Sequence, residues 1–329
     1  MKQIQLLRHA RPDEACACVE VEEVGAPGPD EVVVEIQAAA INPADLLTFE
    51  GRYPGPGELP APVGIEGAGV VREAGAEVTG LAPGDKVMSM ARANWAERIR
   101  LPAAQVVRLP AEIDIRQAAM LKANPPSAHL MLRDYIDLEA GDWVIQNAAN
   151  SAVGRHVIRF AKARGLRTVN IVRRGALIPE LEALGADVVL VGGDDLARRV
   201  RERTGAEAPI RLAIDAVGGT ACERLADCLS DQGVVVNYGF LSGEACRITP
   251  MHLIVRGLTL KGFWLYGVMR SAAPAEIQAL YDEMAAAFID GTLEVPIEAE
   301  YGLDEIAKAL AHAHREGRGG KVLLTPAGT

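Results

Sequence analysis

The sequence predicts an α/β protein in which a β-rich domain is followed by a doubly wound domain with a parallel sheet. Three observations carry this. Residues 1 to about 120 hold short alternating runs broken by glycine and proline, residues 121 to about 265 repeat a strand–helix–strand pattern, and the tail closes on helices and one short strand. A chain of 329 residues has room for about two domains.

In the first part, Glu31-Val32-Val33-Val34-Glu35-Ile36 and Gly69-Val70-Val71-Arg72-Glu73 read as strands, and Pro83-Gly84-Asp85 as a turn into Lys86-Val87-Met88. Cys16-x-Cys18 lies on an alternating stretch that turns both side chains to one face. Residues 42–64 are dense in proline and glycine with little periodicity and read as a long functional loop. In the second part, 142–146 reads as a strand and 153–164 as an amphipathic helix. Val153, Val157, Ile158 and Ala161 share one face of that helix, Arg155, Arg159 and Lys162 lie away from it, and Gly165 stands at the left-handed cap position. Further strands are expected at 168–172, 187–191, 211–215, 233–237 and 258–262, the last apolar enough to accept a partner strand at the sheet edge. Helices at 274–289 and 303–315 and a final strand at Lys321–Leu324 suggest a tail that returns to complete the first domain.

Lys and Arg number 34 against 44 Asp and Glu, a net charge of −10 that repels phosphate backbones and argues against a general nucleic-acid binder. Hydrophobic residues at 49% and charged residues at 24% are globular proportions, and with aromatics at 4% the core must be aliphatic. No apolar run approaches the roughly 20 residues of a membrane span, and the first residues lack the apolar stretch of a secretory signal. Five cysteines imply no disulfide framework. A cytoplasmic enzyme is expected, with no nucleic-acid or membrane partner.

Between the strand at 142–146 and its helix runs Asn147-Ala148-Ala149-Asn150-Ser151-Ala152-Val153-Gly154. A strict G-x-G-x-x-G is absent, with Ala149 and Ser151 in the first two glycine slots, but small residues still admit a close backbone approach. Gly154 allows tight helix packing, and the helix N-terminus offers N–H groups to a pyrophosphate. The next strand ends in Arg173-Arg174, with no acid to bind a ribose 2′-hydroxyl. Two guanidiniums there suit a 2′-phosphate, so NADPH is expected over NADH. The six histidines form no metal-ligand spacing, and His312-x-His314 reads as a solvated pair.

These features resemble a zinc-independent medium-chain dehydrogenase/reductase, and within that group the mitochondrial-type trans-2-enoyl-thioester reductases and their bacterial relatives. The matching segments are Asn42-Pro43-Ala44-Asp45, Gly51-Arg52-Tyr53, Gly64-Ile65-Glu66-Gly67, Leu121-Lys122-Ala123-Asn124-Pro125, the 145–154 block, Asn170-Ile171-Val172-Arg173 and Gly262-Phe263-Trp264-Leu265. Where zinc-dependent members carry Gly-His-Glu, Ile65 cannot bind zinc, so no metal is expected. The resemblance implies a GroES-like catalytic domain over 1–120, a Rossmann NADPH-binding domain over 121–266 and a returning segment over 267–329. It implies that Tyr53 is the proton donor and Asn124 a cofactor contact. Asn150, Ser151, Ala152, Val153 and Gly154 become the pyrophosphate loop, and Arg173 and Arg174 the 2′-phosphate site. Tyr238, Gly239, Phe240 and Leu241 with Phe263, Trp264 and Leu265 would flank the nicotinamide, and Lys321 would be a late cofactor contact. Asn42, Phe49 and Tyr266 are candidates for the substrate pocket.

The sequence departs from the family at three places. Ile65 replaces an asparagine, the second arginine of the phosphate site is shifted by one residue to Arg174, and Tyr266-Gly267-Val268 replaces Ser-Gln-Trp. The expected activity is NADPH-dependent reduction of an α,β-unsaturated thioester carried by CoA or acyl-carrier protein. The alternatives are a quinone or small activated-alkene reductase, and a cofactor-binding sensor without turnover. A homodimer is expected.

Overall fold

A computed structural model describes residues 1–205, 208–315 and 317–326. The chain divides into two compact units, Met1–Ala123 with Ala272–Thr329, and Asn124–Ser271.

The first unit is organised around the long strand Glu31–Ala40. On one side it pairs antiparallel with Ala68–Ala74, Val34 facing Val71, and that strand continues the sheet to Lys86–Ser89 and Val106–Arg108. The Glu31–Glu35 part of the long strand also pairs antiparallel with Arg98–Pro102, and its Ala39–Ala40 end meets the tail strand Lys321–Leu324, Leu323 facing Ala40, which in turn runs parallel to Ile297–Tyr301. A separate three-stranded sheet holds Cys16–Glu20, Lys2–Leu6 and Ala61–Pro62. Ile4, Leu6, Val32, Val34, Ile36, Phe49, Trp95, Leu310 and Val322 form one buried cluster between these layers. Each fully buried aliphatic of this kind contributes about 1.5–3 kcal/mol relative to exposure. Gly64 is required where it stands: its φ is +112°, and a Cβ would fall 2.4 Å from the Trp95 ring.

Two expectations change here. Residues 42–64 are not all loop, because Pro43–Phe49 is an α-helix. Asn-Pro-Ala-Asp is its start signal, with Pro43 in the first turn and the Asp45 carboxylate accepting the Asn42 N–H at 2.9 Å. His312 is not solvated: its ring bonds the Tyr301 hydroxyl at 2.9 Å and Glu298 at 2.8 Å, tying the last helix to the strand Ile297–Tyr301.

The second unit is a six-stranded parallel sheet in the order Val188–Val191, Arg167–Val172, Trp143–Gln146, Ile210–Asp215, Val234–Asn237, Thr259–Gly262. In chain order this is 3-2-1-4-5-6, the Rossmann arrangement, whose direction reverses between the strands ending at Gln146 and Asp215. Trp143, Val144, Ile145 and Gln146 are all buried, as expected of a strand covered on both faces. The helix that follows, Ala152–Ala163, buries Val153, Val157, Ile158 and Ala161 as its periodicity predicts, and Gly165 adopts φ +69° just beyond it. At the far edge all four residues of Thr259–Gly262 are exposed.

Candidate functional site

In the second unit the loop after the central strand is built for an anion. Ser151 caps the twelve-residue helix, its Oγ accepting the Gly154 N–H at 3.1 Å. A Cβ on Gly154 would lie 2.6 Å from the Ala149 carbonyl oxygen, so only glycine lets the helix start this close to the strand end. The left-handed residue is Ala148, at φ +47°, one position before the slot where a first glycine was sought. Gln146 fixes the turn from below, donating to the Gly154 carbonyl and to Asn170 Oδ1, both at 2.8 Å. Asn150, Ser151 and Ala152 are half-exposed above it, and Val153 is buried. Arg173 and Arg174 are exposed where the neighbouring strand ends.

A buried carboxylate organises the switch point, and the sequence reading did not single it out. Asp215 Oδ1 accepts from Asn147 Nδ2 at 2.6 Å, the Val217 N–H at 3.0 Å and the Gly218 N–H at 3.1 Å; Oδ2 accepts from Asn237 Nδ2 at 2.8 Å. Asn147 in turn accepts the Ala216 N–H at 2.8 Å, and Asn237 donates to the Gly239 carbonyl at 2.8 Å. One fully buried side chain therefore sets the ends of three adjacent strands and the start of the 238–241 segment. An acid at the C-terminal end of a buried parallel strand, before Gly218-Gly219, is the signal that could have found it. Cys222 and Cys246 bring sulfurs near this carboxylate. Its oxygens are already engaged by these donors, and burial pushes both thiols up. Above the sheet, burial pushes the Tyr238 phenol up to about 12, with the Ser151 side chain opposing. Phe240 and Leu241 are exposed, Phe263 is buried edge-on to Tyr135, and Trp264 packs 5.1 Å from Tyr266 beside half-buried Leu265. Asn124 opens the helix Asn124–Arg133.

In the first unit, polar groups of four segments converge in the interior. Asn42 donates to Glu66 Oε1 at 2.6 Å and accepts from the Lys321 ammonium; Glu66 Oε2 accepts the Ala123 N–H at 3.0 Å. Asp45 accepts the Ile65 N–H at 3.0 Å, and burial raises its carboxyl to about 7 against the two backbone donors that favour its charged form. Lys122 is buried with its ammonium on the carbonyls of Ile65, Met90 and Ala91 at 2.6, 2.9 and 2.7 Å. Burial pushes it down to about 7, opposed by Glu66. Burial also lowers Lys321, again with Glu66 opposing. Tyr53 is half-buried in the irregular stretch after the helix Pro43–Phe49.

Residues 28–111 match the alcohol dehydrogenase GroES-like domain and residues 152–286 the zinc-binding dehydrogenase domain. The chain is 33% identical over 301 residues to the mitochondrial enoyl-[acyl-carrier-protein] reductase of Dictyostelium discoideum, covering 89% of this chain and 86% of that one. It is 35% identical over 311 residues to the Caenorhabditis elegans enzyme of the same name, covering 92% and 88%. The chain belongs to the medium-chain dehydrogenase/reductase family. Among solved members of that family, the Pseudomonas syringae quinone oxidoreductase superposes with a TM-score of 0.88 at 29% identity over 99% of both chains. The Escherichia coli quinone oxidoreductase complexed with NADPH gives 0.89 at 26% identity over 99% of this chain and 100% of its own.

Two residues expected in a substrate pocket are buried. Phe49 is 1% exposed and packs edge-on against Trp95 at 5.6 Å. Asn42 is buried between Glu66 and Lys321, where it joins the helix start to the tail strand. Tyr266 remains on the surface, beneath Arg270 at 5.9 Å.

Proposed function

We propose that the protein is an NADPH-dependent reductase of 2-enoyl thioesters carried by CoA or acyl-carrier protein. Identity of 33–35% to enoyl-[acyl-carrier-protein] reductases over nine-tenths of the chain is the observation that carries the substrate class. The second unit fits the cofactor: the capped helix and the glycine cradle at Gly154 suit a pyrophosphate, and Arg173 with Arg174 suit a 2′-phosphate. Bound NADPH supplies the hydride that adds to the β-carbon. Lys321, the first residue of the tail strand and held on Asn42, is assigned as a further cofactor contact on the family resemblance. Tyr53 donates a hydrogen bond, and then the proton, as the thioester enolate forms. In this reading activation of the alkene comes from the substrate's own thioester, and no metal is assigned a role.

The test follows nicotinamide absorbance with crotonyl-CoA, a longer 2-enoyl-CoA and a benzoquinone, in EDTA. Thioester turnover with NADPH preferred over NADH is expected, and replacing Arg173 and Arg174 by alanine should raise the NADPH KM roughly 10–100-fold, the scale of one or two lost charge-assisted hydrogen bonds. Turnover confined to the quinone would replace this reading with the second one, small-quinone reduction, which the 26–29% identical quinone oxidoreductases favour.

The exposed edge strand Thr259–Gly262 and the apolar side chains of Met251, Leu253, Ile254 and Val255 support a homodimer formed edge to edge. Light scattering at micromolar concentration should give twice the chain mass, and a monomer for Ile254→Asp with Leu260→Asp. A monomeric native protein would sink the dimer.

A further inference from the structure

Tyr53 lies in a stretch of irregular backbone. Residues 50–60 contain Gly51, Pro54, Gly55, Pro56, Gly57 and Pro60 and form no helix or strand. Where the stretch leaves the helix it is tied by the Gly51 and Arg52 N–H groups to Thr48 and Leu47. Farther on, a second segment reaches it. The Arg92 guanidinium stands 5.7 Å from the centre of the Tyr53 ring, and its Nη2 donates to the Pro54 carbonyl at 2.8 Å.

The segment that carries Arg92 is among the most firmly bonded irregular backbone in this unit. Lys122 holds the Met90 and Ala91 carbonyls. Asn94 Nδ2 donates to Ala91 and Gly64 at 2.8 and 3.0 Å, the Ala91 N–H donates to Ser89 Oγ at 3.1 Å, and the Met90 N–H to Gln105 at 2.8 Å. The Arg92 side chain thus joins this bonded segment to the other, taking both the aromatic face and the carbonyl of the next residue.

We propose that Arg92 is a positioning residue for the reduction, one that fixes the Tyr53 ring and so the direction in which its hydroxyl donates. This rests on the reading that Tyr53 donates to the forming enolate. A planar guanidinium can stack and donate at once; a lysine ammonium at the same place can do one or the other. Arg92 acts only through Tyr53, so its contribution should vanish when the hydroxyl is gone, even though a phenylalanine ring would still lie beneath it.

The experiment is a double-mutant cycle in the full-length protein with crotonyl-CoA and NADPH, reading kcat and KM separately. Arg92→Leu should lower kcat about tenfold, leave the NADPH KM within twofold and leave the thermal midpoint near the native one. Arg92→Lys should recover part of the loss. In the Tyr53→Phe background Arg92→Leu should change kcat by less than twofold. A tenfold loss in both backgrounds, or no loss in the native one, overturns the proposal while leaving the tyrosine's role intact. A Tyr53→Phe enzyme with undiminished kcat overturns the tyrosine's role itself, and that result is read from the single variant alone.

Discussion

Replacing Asp215 by alanine should cost the protein about 3 kcal/mol or more, the price of leaving several buried donors unpartnered at roughly 1–3 kcal/mol each. Those donors are the Asn147 and Asn237 amides and the Val217 and Gly218 N–H groups. For a unit of this size the loss is a fall of roughly 6–12 °C in thermal midpoint. Asp215→Asn keeps one good acceptor and should fall between the two. NADPH binding should weaken at least about tenfold at temperatures where the variant is still folded, because Asn147 and the Gly239 carbonyl lose their common anchor. Chemical unfolding and a cofactor fluorescence titration, run side by side, check both parts. An alanine variant as stable as the native protein would show that water replaces the carboxylate at no cost.

Tyr53→Phe should have the largest effect on turnover with little on stability. A general acid is worth about 10²–10⁴ in rate, so kcat for a 2-enoyl thioester should drop at least about a hundredfold, close to 3 kcal/mol of transition-state stabilisation. The side chain is half-buried and keeps its ring beneath Arg92, so the thermal midpoint should move by no more than about 1 °C. The NADPH KM should hold, since the substitution removes one hydroxyl and leaves the hydrogen bonds that shape the anion loop intact. Measurement of kcat in light and heavy water adds a second readout: proton donation in the slow step gives a solvent isotope effect that the phenylalanine variant loses. A variant with full kcat would sink the assignment.

What the sequence made legible was local. Strands such as Trp143–Gln146 and Val188–Val191 announce themselves because both faces are covered and the residues are almost all apolar. The helix Ala152–Ala163 does so through its spacing, and Arg173-Arg174 through its place at a strand end. The helix Pro43–Phe49 was hidden by the prolines and glycines that follow it, although Asn42 and Asp45 spelled its start. Pairings between distant residues left no such trace. Asn147 and Asp215 are 68 positions apart, and Asn42 and Lys321 are 279 apart. The contact of Phe49 with Trp95 left no trace either, because an aromatic in a stretch read as loop carries no periodicity to point to its neighbour.

The tail strand Lys321–Leu324 also bears on how the chain is made. It sits between Ile297–Tyr301 and Glu31–Ala40, so the sheet of the first unit is completed only by residues made after the whole second unit. Residues 124–271 are continuous in sequence and hold all six strands of their own sheet. On the ribosome the middle of the protein can therefore reach its native form while the Ala39–Ala40 end of the strand Glu31–Ala40, made long before, still lacks its partner. The order of maturation is inside out, and the interval is one in which a short apolar strand end is open to chaperones and to the same segment of other nascent chains.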